Sequence, residues 1–449
     1  MQDLAERALR THLRSIGRDD VQNGAVVVAD TQTGEVLALV GSRDFLDPAA
    51  GQVDGARSPR QPGSTLKPFL YAMALSRGRT PASLLSDVPT SFTQAGGQAW
   101  SPRDHDRRWR GPVRLREALA SSLNVPAARL LDEVGVAAFL DVLHALGFDD
   151  LDAGPDEYGL GLVLGDAPVR LASLADAYAT LGRGGVRRPF TLLRDGPQPA
   201  ETRVFPADVA WMVSDILSDD DARGLTFGRH GVLDLPFRVA AKTGTSADHR
   251  DSWCVGYTPE RTVGVWVGNM AGGSMEDVWG AQGAAPVFRE VMLGLAAARR
   301  PAWPPEPPGI VRREVCPLSG GAPGPACPGT VREAFPASAA PPPPCDLHRA
   351  EAGGTGDHGP SYHAAGAPLR IARPVDGEEY RLDPDVPPGA RSIVLLAAGD
   401  PANGPARFRI DGAPGPVCEV NVPCPWPARP GDHDVALEGV RGRVRITVR

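Results

Sequence analysis

Apolar residues recur at helical spacing from the start of the chain: Leu4, Ala8, Leu9, Leu13 and Ile16 share one face, which predicts an amphipathic helix over 3–16. The period then changes. Gly24-Ala25-Val26-Val27-Val28-Ala29-Asp30 and Glu35-Val36-Leu37-Ala38-Leu39-Val40-Gly41 are β-branched runs joined by the turn Thr31-Gln32-Thr33-Gly34, the pattern of a hairpin. From about 64 to 220 the pattern is mostly helical, with segments near 64–77, 114–122, 126–146, 168–182 and 206–218. Strand character returns at 237–242, 252–257 and 262–268, the last two joined by Thr258-Pro259-Glu260-Arg261. Strands first and last with helices between predict an α+β domain whose antiparallel sheet is built from both ends of its sequence, beside a helical subdomain.

Beyond residue 300 the pattern weakens. Residues 301–345 hold 14 prolines, so 301–366 is expected to be a Pro/Gly-rich, cysteine-containing linker with little core of its own. Short alternating runs at 369–371, 392–396, 406–410, 434–437 and 444–448, separated by turn residues, predict a small all-β sandwich over 367–449. The expected division is therefore 1–300, 301–366 and 367–449.

Composition narrows the function. A chain of 449 residues, 42% apolar and 22% charged, is globular and long enough for two or three domains. Its net charge of -7 gives no electrostatic case for nucleic acid or for an anionic membrane surface. No apolar run is long enough to cross a membrane, and the first residues lack the layout of a signal peptide. Lysine occurs only at 67 and 242, against 45 arginines. In a chain that writes basic residues as arginine, a lysine marks a place where losing a proton can matter, because a guanidinium is effectively never neutral.

Both lysines sit in motifs. In Pro62-Gly63-Ser64-Thr65-Leu66-Lys67-Pro68, a serine at a helix start lies one turn from an amine, with backbone N–H groups and the positive helix end beside its oxygen. The amine can act as the base that a serine nucleophile needs. Lys242-Thr243-Gly244-Thr245-Ser246 ends a predicted strand, where glycine lets a ligand lie close and the lysine and hydroxyls can hold a carboxylate. Between them, Ser121-Ser122-Leu123-Asn124 places a hydroxyl and an amide two residues apart at a helix-to-helix turn.

Ser-x-x-Lys, Ser-x-Asn and Lys-Thr-Gly in this order resemble the penicillin-binding proteins and serine β-lactamases. Arg60-Gln61-Pro62-Gly63-Ser64-Thr65-Leu66-Lys67-Pro68, Arg116-Glu117-Ala118-Leu119-Ala120-Ser121-Ser122-Leu123-Asn124, and Lys242–Ser246 leading to Arg250-Asp251-Ser252-Trp253 are most similar to the transpeptidase domain of class A penicillin-binding proteins, in particular the 1C subtype. The resemblance implies that Ser64 attacks a D-Ala-D-Ala carbonyl of a peptidoglycan stem peptide. It makes Lys67 the general base, Ser122 a proton relay and Asn124 the residue that orients Lys67 and the substrate amide. Lys242 supplies positive field, and Thr243, Gly244, Thr245 and Ser246 form the substrate-binding strand. The N–H groups of Ser64 and Thr245 form the oxyanion hole. It further implies capture of β-lactams, no cofactor, the periplasmic face of the inner membrane, and possible partners among cell-wall synthesis proteins through the C-terminal β domain. D,D-carboxypeptidase, β-lactamase and a non-catalytic β-lactam-binding scaffold are the alternatives. Class A members also carry an anchor and a glycosyltransferase domain, for which there is no room ahead of residue 20, so glycan polymerisation is not expected of these residues.

Weaker signals remain. Cys316, Cys327, Cys345 and His348 have irregular spacing for zinc, and a Cys327–Cys345 disulfide is the expected arrangement. Cys418 and Cys424 can pair across a loop, and Cys254 reads as a buried free thiol. Asp104-His105-Asp106, among Arg103, Arg107, Arg108 and Arg110, reads as a solvated charged loop. His230 and His249 lack partners at ligand spacing, and Trp253, Tyr257 and Trp266 read as core.

Overall fold

A computed structural model describes the chain except residues 19, 94–98, 105, 107–108, 194–199, 228–230, 277, 328, 349–368, 375, 378, 381–392, 399–403, 421–423, 428, 441 and 449. His105 and His230 thus lie outside the described residues. The chain divides into two compact units, Met1–Arg313 with Glu333–Ala340, and Glu314–Arg332 with Pro341–Arg449.

In the first unit, helix α1 (Gln2–Ile16) precedes strands β1 (Asn23–Asp30) and β2 (Val36–Val40), the predicted hairpin. Helices follow: α2 (Lys67–Ser76), α3 (Leu115–Ala120), α4 (Asn124–Val134), α5 (Val136–Ala145), α6 (Leu171–Gly182) and α7 (Ala207–Leu217). Strands β3 (Ala240–Thr245), β4 (Asp251–Tyr257) and β5 (Arg261–Gly268) complete an antiparallel sheet of order β2-β1-β5-β4-β3. The sheet is therefore assembled from both ends of the domain, as the pattern predicted.

Alternation along β1 separates two cores. Ala25 and Val27 join the core shared with α2, α6 and α7, whereas Val26 and Val28 join the one shared with α1 and a last helix, α8 (Ala284–Ala296). Two elements differ from expectation. The predicted helix 126–146 is two helices, because Gly135 at φ +89° takes a backbone conformation that no helix continues through. Helix α8 was not among the expected elements, although its buried Val287, Phe288, Val291 and Met292 recur at helical spacing.

The stretch expected as an extended linker contains two paired strands, β6 (Ile310–Val315) and β7 (Val331–Pro336). Glu333 of β7 is fully buried and faces two arginines at the head of α3. Arg116 reaches it through Nε at 2.9 Å and Nη2 at 2.6 Å, and Arg114 through Nη1 at 3.2 Å. Asp215 of α7 accepts a further bond from Arg116 at 2.6 Å. These ion pairs hold this part of the segment together with apolar contacts, since Ile310 and Ala334 join the main core.

In the second unit a three-stranded sheet (Arg370–Arg373, Ile393–Ala398, Cys424–Trp426) and a five-stranded one (Glu379–Tyr380, Arg443–Val448, Gly431–Leu437, Ala406–Ile410, Ala413–Cys418) share a core of Leu395, Phe408, Val435, Ile446 and Val448. A disulfide joins Cys418 to Cys424.

Candidate active site

Ser64 lies in a single 3-10 turn, Gly63–Leu66, that runs directly into α2. Two glycines bring this turn against β3. Gly63 has φ +55°, and a Cβ there would meet the Thr245 carbonyl oxygen at 2.4 Å and its nitrogen at 2.6 Å. A Cβ on Gly244 would meet the Pro62 carbonyl oxygen at 2.3 Å. The backbone of Ser64 can therefore approach that of Thr245 only because neither glycine carries a side chain. Trp253 fixes the turn from below, donating from Nε1 to the Gln61 carbonyl at 2.7 Å, and Tyr178 donates to the Thr65 carbonyl at 2.7 Å.

Lys67, one turn on, is completely buried. Its Nζ donates to the Ser122 carbonyl at 2.7 Å, the Leu123 carbonyl at 3.1 Å and Asn124 Oδ1 at 2.6 Å. Burial nevertheless pushes it from 10.5 down to about 7, with Asp104 pulling the other way. A displacement of that size is roughly 5 kcal/mol against the ammonium, so desolvation outweighs the three acceptors and the carboxylate. Near neutral pH this amine can both hold and lose a proton.

Ser122 reaches the site through the end of α3. The Leu123 N–H bonds to the Ala118 carbonyl at 2.9 Å and the Ser122 N–H to the Leu119 carbonyl at 3.1 Å, a Schellman closure. Its left-handed position usually holds glycine, and here it holds Ser122 at φ +61°. A side chain there costs about 1–2 kcal/mol. The conformation points Ser122 Oγ to Lys242, whose Nζ donates to it at 2.7 Å, while the Ser122 carbonyl faces Lys67. The two lysines thus meet at one residue. Burial holds Lys242 well below its ordinary value, and the neighbouring Lys67 lowers it further. Two ammonium groups so close in a dry site oppose one another's charge.

Asn124 opens α4. Its Oδ1 accepts from Lys67, its Nδ2 donates to the Arg103 carbonyl at 2.7 Å, and its backbone N–H donates to Asp104. This corrects the reading of residues 103–110 as a solvated loop: Asp104 is buried and packs behind the site. Asp87 is buried with it and is pushed up to about 8, first by burial and then by Asp104. Neither Asp87 Oδ1 nor Asp104 Oδ2 finds a hydrogen-bond donor among the described residues. Sequence reasoning missed both. The only signal was an acidic pair flanking His105.

The β3 residues divide. Lys242 points toward the helices, and alternation sends Thr243 and Thr245 to the opposite face. Thr245 Oγ1 accepts from the Gly280 N–H at 3.0 Å and keeps its own proton to donate. Ser246 is buried and accepts from the Asp251 N–H at 2.9 Å, so its hydroxyl closes the turn into β4. Cys254, Trp253, Tyr257 and Trp266 are buried, and burial pushes the Cys254 thiol up.

Residues 24–293 match the penicillin binding protein transpeptidase domain family, well over half of the chain. This chain belongs to that family. Residues 306–350 match the penicillin-binding protein 1A C-terminal domain and 360–449 the penicillin-binding protein C-terminus family. Penicillin-binding protein 1C of Escherichia coli is 33% identical over 296 residues, covering 65% of this chain and 37% of that protein. Penicillin-binding protein 1A of Neisseria lactamica is 30% identical over 324 residues, covering 66% and 39%. The chain thus spans under two fifths of the length of these curated relatives. Among solved structures, PonA1 of Mycobacterium tuberculosis in complex with penicillin V is 26% identical with a TM-score of 0.56, covering 68% of this chain and 85% of that one. Penicillin-binding protein 1A of Haemophilus influenzae, at 23% identity, shares the fold with a TM-score of 0.61, covering 72% and 54%. The fold of the chain is α+β, with an all-β C-terminal region.

Proposed function

We propose that this chain is a peptidoglycan D,D-transpeptidase that works through a Ser64 acyl-enzyme. The observation that carries the reading is the meeting of Lys67 and Lys242 on the carbonyl and hydroxyl of Ser122, beside a serine seated at a helix start. Family membership and the penicillin V complex of the related PonA1 support it.

In the proposed reaction, the carboxylate of a D-Ala-D-Ala stem peptide approaches the end of β3 and favours the ammonium form of Lys242. That charge in turn disfavours a proton on Lys67, leaving it neutral and able to take the Ser64 hydroxyl proton as Oγ bonds to the carbonyl carbon. The N–H groups of Ser64 and Thr245 hold the resulting oxyanion. Collapse breaks the C–N bond, and the proton taken by Lys67 returns through the Ser122 hydroxyl to the departing D-alanine nitrogen. An acceptor amine then attacks the acyl-enzyme, gives up a proton by the same path, and frees Ser64. The reaction belongs where peptidoglycan lies, outside the cytoplasmic membrane. Among the described residues no helix is long and apolar enough to cross one.

Fluorescent penicillin tests the reading. A stable one-to-one label is expected on the chain and none on Ser64→Ala. Rapid loss of the label would instead indicate a β-lactamase, which adds a base for water to the same acylation machinery. The labelling rate should rise with pH and level off above about 7, because the neutral form of Lys67 is the competent one, and should fall about tenfold per pH unit below it. Gly244→Ala is expected to slow labelling about 100-fold, since its methyl group must displace the Pro62 carbonyl and with it Ser64.

A further inference from the structure

The second unit holds a side-chain cluster that the transpeptidase reading leaves without a role. Cys316, Cys327, Cys345 and His348 each offer one donor atom, and the four atoms lie within 4.8 Å of one another. His348 Nδ1 is 3.4 Å from Cys316 Sγ and 3.2 Å from Cys345 Sγ, and Cys327 Sγ lies within 4.8 Å of all three. Around a tetrahedral zinc, bond lengths of about 2.3 Å to sulfur and about 2.0 Å to nitrogen give donor-to-donor edges of about 3.6–3.8 Å. The four donor atoms are close enough together to turn toward one such point.

The expected Cys327–Cys345 disulfide is not present: all three thiols are free. A disulfide would also leave unexplained a third cysteine and a histidine that is 97% buried with its Nδ1 aimed at two sulfurs. We infer that Cys316, Cys327, Cys345 and His348 form a structural zinc site.

The backbone is shaped for it. The Cys316 N–H bonds to the Gly321 carbonyl at 2.8 Å and the Gly320 N–H to the Cys316 carbonyl at 2.9 Å, closing one turn. Ala322 and Cys345 are tied by a 2.8 Å bond that brings the distant second half of the cluster to the first. A backbone donor faces one sulfur: the Gly324 N–H lies 3.3 Å from Cys327 Sγ. Donors around sulfur favour thiolate and support the ligand shell from outside. Three sulfurs and one imidazole, with no oxygen donor, suit zinc and not calcium or magnesium. The segment buries few apolar side chains, Val315 and Ala326 among them, so a metal supplies the crosslink that a core would otherwise provide. Binding releases one proton from each cysteine that enters as a thiol and is held as thiolate.

The test is elemental analysis of the full chain purified under reducing conditions without chelator. About one zinc per chain is expected, with background levels in Cys316→Ser and Cys345→Ser, while penicillin labelling of Ser64 reports that those variants remain folded. Because a variant can fail to fold, the unmutated chain supplies a second measurement. Exchange into cobalt(II) should give the visible bands of a tetrahedral site and a sulfur-to-cobalt charge-transfer band. Zinc should also protect three thiols from alkylation until a chelator is added. Metal-free chain that takes up neither zinc nor cobalt after reduction, or a Cys327–Cys345 disulfide in a non-reduced peptide map, overturns the inference.

Discussion

Lys67→Arg is expected to slow penicillin acylation of Ser64 by about 10³-fold or more, and raising the pH should not restore it. Lys67 sits in a fully buried slot with three acceptors at fixed distances. A guanidinium there can hydrogen-bond, but it cannot give the neutral amine that takes the serine proton. Lys242→Arg should behave differently. Lys242 touches Ser122 Oγ and the Thr243 carbonyl, and its proposed work is to present charge. A permanent cation at 242 keeps Lys67 neutral, so residual acylation is expected with its rise displaced to lower pH. Labelling time courses between pH 5 and about 9 separate the two variants. Equal loss in both, with the same pH dependence, would show that the lysines do not divide the work as proposed.

The second large effect is expected at Glu333, far from Ser64 in sequence. Glu333→Ala leaves Arg116 and Arg114, each under a tenth exposed, without their shared counter-charge. Arg116 keeps Asp215 and Asp219 and Arg114 keeps Glu117, so the cost is that of unsatisfied buried donors, about 1–3 kcal/mol, and not that of an unpaired buried charge. Urea unfolding followed by tryptophan fluorescence should read a loss of this size. Glu306→Ala, whose carboxylate pairs with Arg312 in a more exposed position, should cost less than about 1 kcal/mol. A Glu333 variant as stable as the parent would mean that α3 is held by its apolar contacts alone. Because α3 ends in the Ser122 turn, the loss should also lower acylation at temperatures where the parent is active.

What the sequence revealed follows from range. The lysine motifs were legible because each places its chemistry within a few residues: Ser64 and Lys67 share one turn, and Ser122 and Asn124 flank one helix junction. The sheet was legible because β1 and β5 carry long β-branched runs. Asp104 was read as solvent-exposed because its arginine-rich neighbours describe the loop, not the helix start against which its carboxylate is buried. Glu333 sits in a proline-rich stretch, and its partners are more than two hundred positions away. No local period encodes such a pairing. The cysteine cluster was discounted for its irregular spacing, yet metal ligands need only converge in space, and the bond between Ala322 and Cys345 brings them together. Thr245 and Ser246 look equivalent in sequence, but only the structure shows that Ser246 closes a turn.

The pairing of β1 with β5 sets a schedule for folding. Asn23 pairs with Gly268, so the central pair of the sheet joins the first of its five strands in sequence to the last. While the chain is being synthesised, β1 has only β2 on one side, and its other edge presents unpaired N–H and C=O groups to whatever strand is near. Loop closure on this scale is slow, and an open edge that waits through it is a route to aggregation. Ser64 is made early in this interval and Lys242 late. Ser64 therefore gains the partners that β3 supplies only after Lys242–Thr245 have been made.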